Sequence, residues 1–175
     1  MLREYRESDL IHIRKWVNEH EIVKYLSNIF LYPQSEEQTR DFLDRAMSKE
    51  WKGFVIAEKE TGDYIGQIDF VELDLINGVG EVGIVIGELE LTSQGIGTEA
   101  LNIILEFGFN NLRLNRIELV CWSFNKRGQK AYEKVGFVKE GIRRQKLYRK
   151  GKYHDEYCYG ILKKEWKHKG AKYNG

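Results

Sequence analysis

Apolar positions along the chain switch between helical and strand spacing, which predicts a mixed protein of helices and strands. Ser35, three residues before Gln38, fits the capping box that begins a helix, and Gly136 is suited to ending one. Ser8 is expected to cap the first helix. The predicted helices begin after Ser8 and Ser35 and span 21–26, 95–112 and 127–135; the predicted strands cover 2–5, 54–57, 64–71, 81–86, 116–122, 137–148 and 153–162.

The spacing of the strands indicates how the sheet is connected. Turn residues at 59–63 and 74–80 join the second, third and fourth strands without room for a crossover helix, so these strands are expected to be antiparallel. The helix over 95–112 then crosses to the strand at 116–122, and the turn at 149–152 closes a last hairpin. The predicted fold class is α/β, of the α+β kind.

The composition is typical of one globular domain: 175 residues, 42% hydrophobic and 31% charged. We expect that domain to cover 1–166, followed by a basic, flexible tail at 167–175. No apolar run approaches the roughly 18 residues of a membrane span, and the first residues have no signal-peptide core. Cys121 and Cys158 lie in separate strand patterns and do not make a metal site. The sequence thus predicts a cytoplasmic protein without a metal or a membrane partner.

Charge is distributed unevenly along the chain. The formal net charge is +1, but residues 1–112 sum to −11 and residues 113–175 sum to +12. A basic half suits the phosphates of a coenzyme and an acidic half suits a cationic amine, unless the two halves interleave in space and cancel. Because the basic residues are dispersed through strand patterns without a recognised module, we expect no nucleic-acid partner.

The strongest chemical signal is the segment 92–98, Thr-Ser-Gln-Gly-Ile-Gly-Thr, between a predicted strand and a predicted helix. Glycines allow close backbone approach, and the first N–H groups of a helix attract an anion. A P-loop is excluded because Thr98-Glu99, rather than Lys and Ser or Thr, follows Gly97. A dinucleotide fingerprint fits locally, but the next strand does not end in the acidic residue that would hold a ribose. The third interpretation is a pyrophosphate loop for coenzyme A.

Three segments in order resemble one known family. Residues 92–97 match Gln/Arg-x-x-Gly-x-Gly/Ala except at Thr92. Residues 125–137 resemble Asn-x-x-(Ala/Ser)-x-x-x-Tyr-Glu-Lys-x-Gly-Phe, and residues 151–155 resemble a Gly-x-x-x-Asp turn. On these segments the sequence resembles the GCN5-related N-acetyltransferases (GNAT), most of all the branch with ribosomal-protein alanine N-acetyltransferases and spermidine acetyltransferases.

The resemblance implies a fold and a reaction. The fold would be a single domain with a mixed, mostly antiparallel sheet of about six to seven strands, splayed after the fourth and flanked by about four helices. The reaction would be direct transfer of an acetyl group from acetyl-CoA to a primary amine in a ternary complex, without a metal. The N-terminal helices would form one wall of the acceptor cleft, and a homodimer is possible because dimers occur in this branch.

The same resemblance implies roles for individual residues. Tyr132 would protonate the leaving thiolate, since a tyrosine is protonated at neutral pH. Glu81 is the candidate base for the amine, with Asp69, Glu72 and Asp74 as nearby alternatives. The implied coenzyme-binding residues lie on the strand before the loop, on the loop itself and on the later helix: Ile84, Val85, Ile86, Thr92, Gln94, Gly95, Ile96, Gly97, Thr98, Asn125 and Lys134.

The acceptor is left open by the sequence. The acidic first half favours a small cationic amine such as a polyamine, an aminoglycoside or an amino sugar, and a protein N-terminus is the alternative. Thr92 replaces the usual Arg or Gln, so one pyrophosphate contact is weakened or moved, with Gln94 as a substitute. Gly128 stands where the ribosomal-protein branch often has Ser, which argues against that substrate. A non-catalytic acyl-CoA sensor is the alternative of another class.

Overall fold

The computed structural model describes residues 1–48 and 50–166, which form seven strands and five α-helices. The strands are β1 (Leu2–Arg3), β2 (Gly53–Ala57), β3 (Tyr64–Asp74), β4 (Val79–Ile86), β5 (Arg116–Trp122), β6 (Val138–Arg149) and β7 (Lys152–Leu162). The helices are α1 (Leu10–Val17), α2 (His20–Val23), α3 (Glu36–Ala46), α4 (Ile96–Glu106) and α5 (Lys126–Val135). The tail expected at 167–175 lies outside the described residues.

The strands form one open sheet in the order β1-β2-β3-β4-β5-β7-β6. β4 and β5 are the parallel pair of an otherwise mostly antiparallel sheet. Their register covers Val79–Glu81 opposite Arg116–Glu118, although β4 continues to Ile86. The predicted mixed, mostly antiparallel sheet of about six to seven strands is confirmed, with five α-helices in the described chain where about four were expected.

Capping groups set the ends of the helices. The backbone N–H of Gln38 donates to Ser35 Oγ at 3.1 Å, and that of Ser35 donates to Gln38 Oε1 at 2.8 Å, so the predicted capping box is confirmed. Gly136 ends α5 with φ 118°, as predicted. The prediction for Ser8 was wrong: Ser8 lies inside a 3₁₀ turn, and the Asp9 carboxylate accepts the N–H of Arg6 at 2.8 Å instead.

Two predicted helices differ in extent from the observed ones. The helix expected over 21–26 is the short α2, His20–Val23. The helix expected over 95–112 is α4, Ile96–Glu106, continued by a π-helical turn over Phe107–Asn111. Apolar spacing marked where both helices lie but did not reveal the change of helix type.

The chain divides into two compact units, the first of which consists of Met1–Asp69 and Ile84–Ala100. Its core joins the helices α1 and α3 to the strands β2 and β4 through Ile13, Leu43, Val55 and Val85. A buried ion pair supports this unit: the Arg3 guanidinium donates to the two oxygens of Asp9 at 2.7 and 2.9 Å. Two parallel hydrogen bonds hold both charges in a fixed geometry.

The second unit consists of Phe70–Gly83 and the described residues from Leu101 onward. Ile104 of α4 and Ile117 of β5 are fully buried. Gly108 allows the π-helical turn to approach β5 closely, because an added Cβ would lie 2.6 Å from the Ile117 side chain. Close packing at this glycine fixes the crossover from α4 to β5.

Replacing Asp9 by Asn should destabilise the protein strongly. The substitution leaves the Arg3 charge buried without its counter-charge, which costs about 3–5 kcal/mol of unfolding free energy. Urea unfolding of the wild type and Asp9→Asn measures the loss. Glu36→Gln is the matched control, because the Glu36–Arg14 pair is exposed and should change stability by less than about 1 kcal/mol. Equal losses in the two variants would contradict this account.

Candidate active site

The loop before α4 has a backbone shape suited to an anion. Ser93 and Gly95 both have left-handed conformations, with φ of 66° and 89°, separated by one residue. Alternation of left-handed and other conformations turns successive backbone N–H groups toward one side of the chain and creates a concave anion site. Gly95 is needed for this shape because side chains rarely tolerate its φ, even though an added Cβ there would meet no atom within 4 Å.

The N–H groups of this loop lack acceptors. In the part of the chain that the structure describes, no protein atom accepts from the backbone N–H groups of residues 95–97, whereas Glu99 N donates to Gly95 O at 3.0 Å once α4 has begun. Ile96 and Gly97 open a helix of 11 residues, so the positive end of its dipole is added to these donors. Three consecutive donors at a helix start fit a diphosphate.

The side chains of the loop hold its shape. Thr92 Oγ1 donates to the carbonyl of Leu89 at 2.7 Å, and Gln94 Nε2 donates to the carbonyl of Glu90 at 2.8 Å. Both bonds tie the loop to the 3₁₀ turn Leu89–Leu91. The groups left for an anion are therefore mainly backbone donors rather than the side chains of Thr92 and Gln94.

The strand β4 runs beside this loop in the same unit. An added Cβ on Gly97 would lie 3.8 Å from Ile84 Cδ1, so the start of α4 adjoins Ile84. The carbonyl oxygen of Val85 approaches Gly66 of β3 so closely that a Cβ at position 66 would lie 2.2 Å from it. Only glycine leaves room for this approach. Gly87 N donates to Ile65 O at 2.8 Å. β3 thus holds the end of β4 closely, and the register with β5 has already ended at Glu81.

Glu81 lies in the first half of β4, directly opposite Glu118 in the parallel register. It is partly buried. Burial raises the pKa of its carboxyl, and the negative charges of Glu118 and Glu72 raise it further. A carboxylate with a raised pKa is a better proton acceptor near neutral pH. Of the alternative bases, Asp74 is engaged in its own turn, where it accepts from Asn77 N at 2.9 Å.

Helix α5 carries three of the sequence-predicted residues in the second unit. Asn125 caps the helix by accepting from Gly128 N at 3.0 Å. An added Cβ on Gly128 would lie 2.6 Å from Asn125 Nδ2, so a side chain at 128 would require the Asn125 amide to shift. Lys134 is exposed in the last turn.

Tyr132 is the buried member of the α5 group. Its ring packs against Phe137 and Tyr159, with centroids 6.2 and 5.9 Å away. Burial raises the pKa of its phenol, and the neighbouring Cys121 and Tyr159 contribute in the same direction. A phenol held protonated in this way can act as an acid.

A cavity of about 390 Å³ lies in the first unit and has no motif in the sequence. Aromatic and aliphatic side chains of α1, α3 and the segment between α2 and α3 line most of it, and Gln67 of β3 adds a buried amide. The concentration of aromatic residues between 16 and 42 is the sequence signal that marks its wall. The residues that dominate the wall are Ile13, Trp16, Phe30, Tyr32, Phe42 and Gln67.

A buried hydrogen-bond network adjoins this cavity. Asp69 accepts from Tyr5 Oη at 2.7 Å, from Trp51 Nε1 at 2.9 Å and from Gln67 Nε2 at 3.2 Å. Burial raises the pKa of Asp69 to about 6, while the hydrogen bonds from these donors act in the opposite direction. The sequence offered Asp69 as an alternative base. The three hydrogen bonds that its carboxylate accepts indicate a structural role instead.

A comparison with protein families identifies the fold. The family model described as "Acetyltransferase (GNAT) domain" matches residues 1–138 of the chain. No helix among the described residues is long and apolar enough to cross a membrane.

Individual relatives span most of the chain. "Uncharacterized N-acetyltransferase p20" of Bacillus licheniformis is 29% identical over 94% of this chain and 93% of its own. "Putative ribosomal N-acetyltransferase YdaF" of Bacillus subtilis is 34% identical over 60% of this chain and 57% of its own. The crystal structure of spermidine N-acetyltransferase from Vibrio cholerae in complex with CoA and spermine superposes with a TM-score of 0.82 at 25% identity, over 94% of this chain and 96% of that chain.

Replacing Gly97 by Glu should separate folding from anion binding. Gly97 lies in α4 and its Cβ would only touch Ile84, so the variant should be as stable as the wild type or up to about 1 kcal/mol more stable. A carboxylate at the loop should nevertheless raise the Kd for coenzyme A at least about tenfold, because its negative charge repels the phosphates. Calorimetric titration measures the Kd.

The control for that experiment is Gly141→Glu in β6, where an added Cβ meets no neighbour within 4 Å. It should bind coenzyme A like the wild type. Unchanged affinity in the Gly97 variant would rule out the loop as the phosphate site.

Proposed function

Because the chain belongs to the GNAT family of acetyl-CoA-dependent acetyltransferases, we propose that it transfers the acetyl group of acetyl-CoA to the primary amine of a small molecule. The single observation that supports coenzyme binding best is the set of three backbone N–H groups at 95–97 without a protein acceptor in the described chain. These donors and the start of α4 would hold the diphosphate of coenzyme A.

The thioester would lie along the second half of β4 in this proposal. Transfer to an amine places negative charge on the thioester oxygen, which requires donors that are already in position. The residues Ile84–Ile86 follow the end of the register with β5, so their backbone can bond to a ligand on that edge. Because Gly97 adjoins Ile84, a coenzyme held at the loop has its pantetheine arm directed to this strand.

Two side chains would move protons. Glu81, three residues before Ile84 on the same strand, would accept a proton from the attacking ammonium, directly or through water, so that nitrogen has a lone pair for attack. Tyr132 would donate its proton to the sulfur as the C–S bond breaks, which gives free coenzyme A. The proton that nitrogen releases as the amide forms would pass through solvent and restore the phenol. Its raised pKa suits an acid that must stay protonated until that step.

A protein N-terminus is the second candidate acceptor, favoured by the 34% identity with the putative ribosomal N-acetyltransferase YdaF. Against it, Gly128 stands in place of the serine that this branch often carries. A panel with spermidine, an aminoglycoside, an amino sugar and an Ala-starting peptide, read by release of free thiol, discriminates between them. Acetylation of the peptide alone would contradict the small-molecule proposal.

Replacing Tyr132 by Phe should lower kcat about 100-fold while the Kd of coenzyme A stays within about twofold, because only a proton donor is removed. Rates of thiol release and calorimetric titration measure the two quantities. Tyr148→Phe is the matched control, since Tyr148 is 62% exposed. A variant with full rate would exclude Tyr132 as the acid, and an acyl-CoA sensor without catalysis would show no rate in any of these proteins.

Replacing Glu81 by Gln should remove the acidic limb of the pH–rate profile. A general base must be deprotonated, so the wild-type rate should rise with pH through the Glu81 pKa, which lies above its ordinary value. The variant should be slower at neutral pH by about 100-fold and should lack that rise. Glu58→Gln serves as the control carboxylate, because Glu58 is exposed and does not act on the Glu81 pKa. Retention of the acidic limb in the Glu81 variant would assign the base elsewhere.

A further inference from the structure

The cavity in the first unit is close to the strand assigned to the thioester. Trp16 lines the cavity and also covers Gly87, because an added Cβ on Gly87 would lie 2.6 Å from Trp16 Cδ1. Gln67, which also lines it, directly follows Gly66, which lies against the Val85 carbonyl. The cavity wall at Trp16 therefore lies against Gly87, the residue directly after β4.

The charge of the cavity does not suit a polycation. Of the side chains that line it in the described chain, two are charged, Asp41 and Arg45, and their charges are opposite. The other acidic residues of the first half are not on its wall, so the charge of −11 counted along 1–112 is not concentrated here. A polyamine needs several carboxylates to replace its hydration, and this cavity offers one.

The walls instead suit an aromatic or branched apolar group. Trp16, Phe30 and Phe42 form an aromatic surface, and Ile13 and Val17 complete it. A volume of about 390 Å³ is within the range of roughly 300–1,000 Å³ for small-molecule pockets. Ile29 and Tyr32 are 66% and 74% exposed, which places the opening at this segment.

One buried amide gives the cavity a fixed polar group. Gln67 Oε1 accepts from Tyr64 Oη at 3.1 Å, and Tyr64 Oη accepts from Trp16 Nε1 at 2.8 Å. Gln67 Nε2 donates to Asp69 at 3.2 Å. Each donor in this series of hydrogen bonds points toward the Asp69 carboxylate, which can only accept. Asp69 therefore determines which end of the Gln67 amide faces Tyr64. The second N–H and the second lone pair of the amide are left for a ligand.

Resting on the proposed acetyltransferase function, we propose that this cavity binds the body of the acceptor, a primary amine carried on an aromatic or branched apolar group. Gln67 orients that acceptor, and Asp69 is a positioning residue that acts through Gln67. The acceptor class is therefore arylalkylamines and similar amines rather than polyamines.

The test compares 2-phenylethylamine and spermidine as acceptors with acetyl-CoA at saturation. We expect kcat/KM for 2-phenylethylamine to exceed that for spermidine by at least about tenfold, since an apolar pocket discriminates by that order. Ile29→Trp, which fills the opening, should lower kcat/KM for 2-phenylethylamine at least about tenfold with an unchanged Kd for coenzyme A. The control is Ile11→Trp, because Ile11 is 73% exposed on α1 and does not line the cavity. A preference for spermidine, or no effect of Ile29→Trp, would overturn the inference and leave the proposed function standing.

A binding measurement separates the inference from the proposed function. If none of the amines is acetylated, the proposed function fails, and the cavity is then tested with protein labelled with 5-fluorotryptophan and saturated with coenzyme A. The chain has four tryptophans, and Trp16→Phe assigns the signal of Trp16. A saturable shift of that signal with 2-phenylethylamine supports the cavity as its site, and an unmoved signal overturns it.

The positioning role of Asp69 has its own readout. Gln67→Met should raise KM for 2-phenylethylamine about tenfold with little change in kcat. Asp69→Asn keeps one oxygen for Tyr5 and Trp51 but presents an amide to Gln67, which must rotate, so KM should rise in the same way. The double variant should be no worse than Gln67→Met alone. A KM in the double variant raised by the product of the two single effects would show that Asp69 does not act through Gln67.

Discussion

The structure depends on how the backbone of β4 is partnered along its length. Its first residues share a register with β5, and its end is held to β3 by the bond from Gly87 N to Ile65 O. In between, Gly66 leaves space for the carbonyl of Val85 to approach β3. A strand secured on one edge and without a register partner on the other keeps polar backbone groups for a ligand, while its side chains still pack in the core.

The same use of backbone rather than side chain recurs in the loop that follows. The side chains of Thr92 and Gln94 donate hydrogen bonds to the carbonyls of Leu89 and Glu90, which fixes the loop. The donors for an anion are then main-chain groups whose positions are set by φ at Ser93 and Gly95. This arrangement accounts for the change at Thr92: an altered side chain matters less when the backbone provides the contacts.

Most of the fold was predictable because its signals are local. The capping box at Ser35, the left-handed Gly136 and the turn before β3 each depend on a few neighbouring residues. The helix start was misassigned at Ser8 because Asp9, one residue on, makes the competing bond to Arg6 as well as the ion pair with Arg3. The cavity and the network around Asp69 could not be predicted, since they join residues as far apart as Tyr5 and Asp69 whose contact depends on tertiary packing.

The central claim is that the backbone at 93–97 and the end of β4 bind an acyl carrier. The most direct measurement is amide NMR of the ¹⁵N-labelled protein titrated with coenzyme A. The account predicts saturable shifts and slowed exchange for the amides of residues 93–97 and of Ile84–Ile86, with small changes at remote β6 positions such as Gly141. Amides at the loop and strand that remain unmoved at saturating coenzyme A would contradict it.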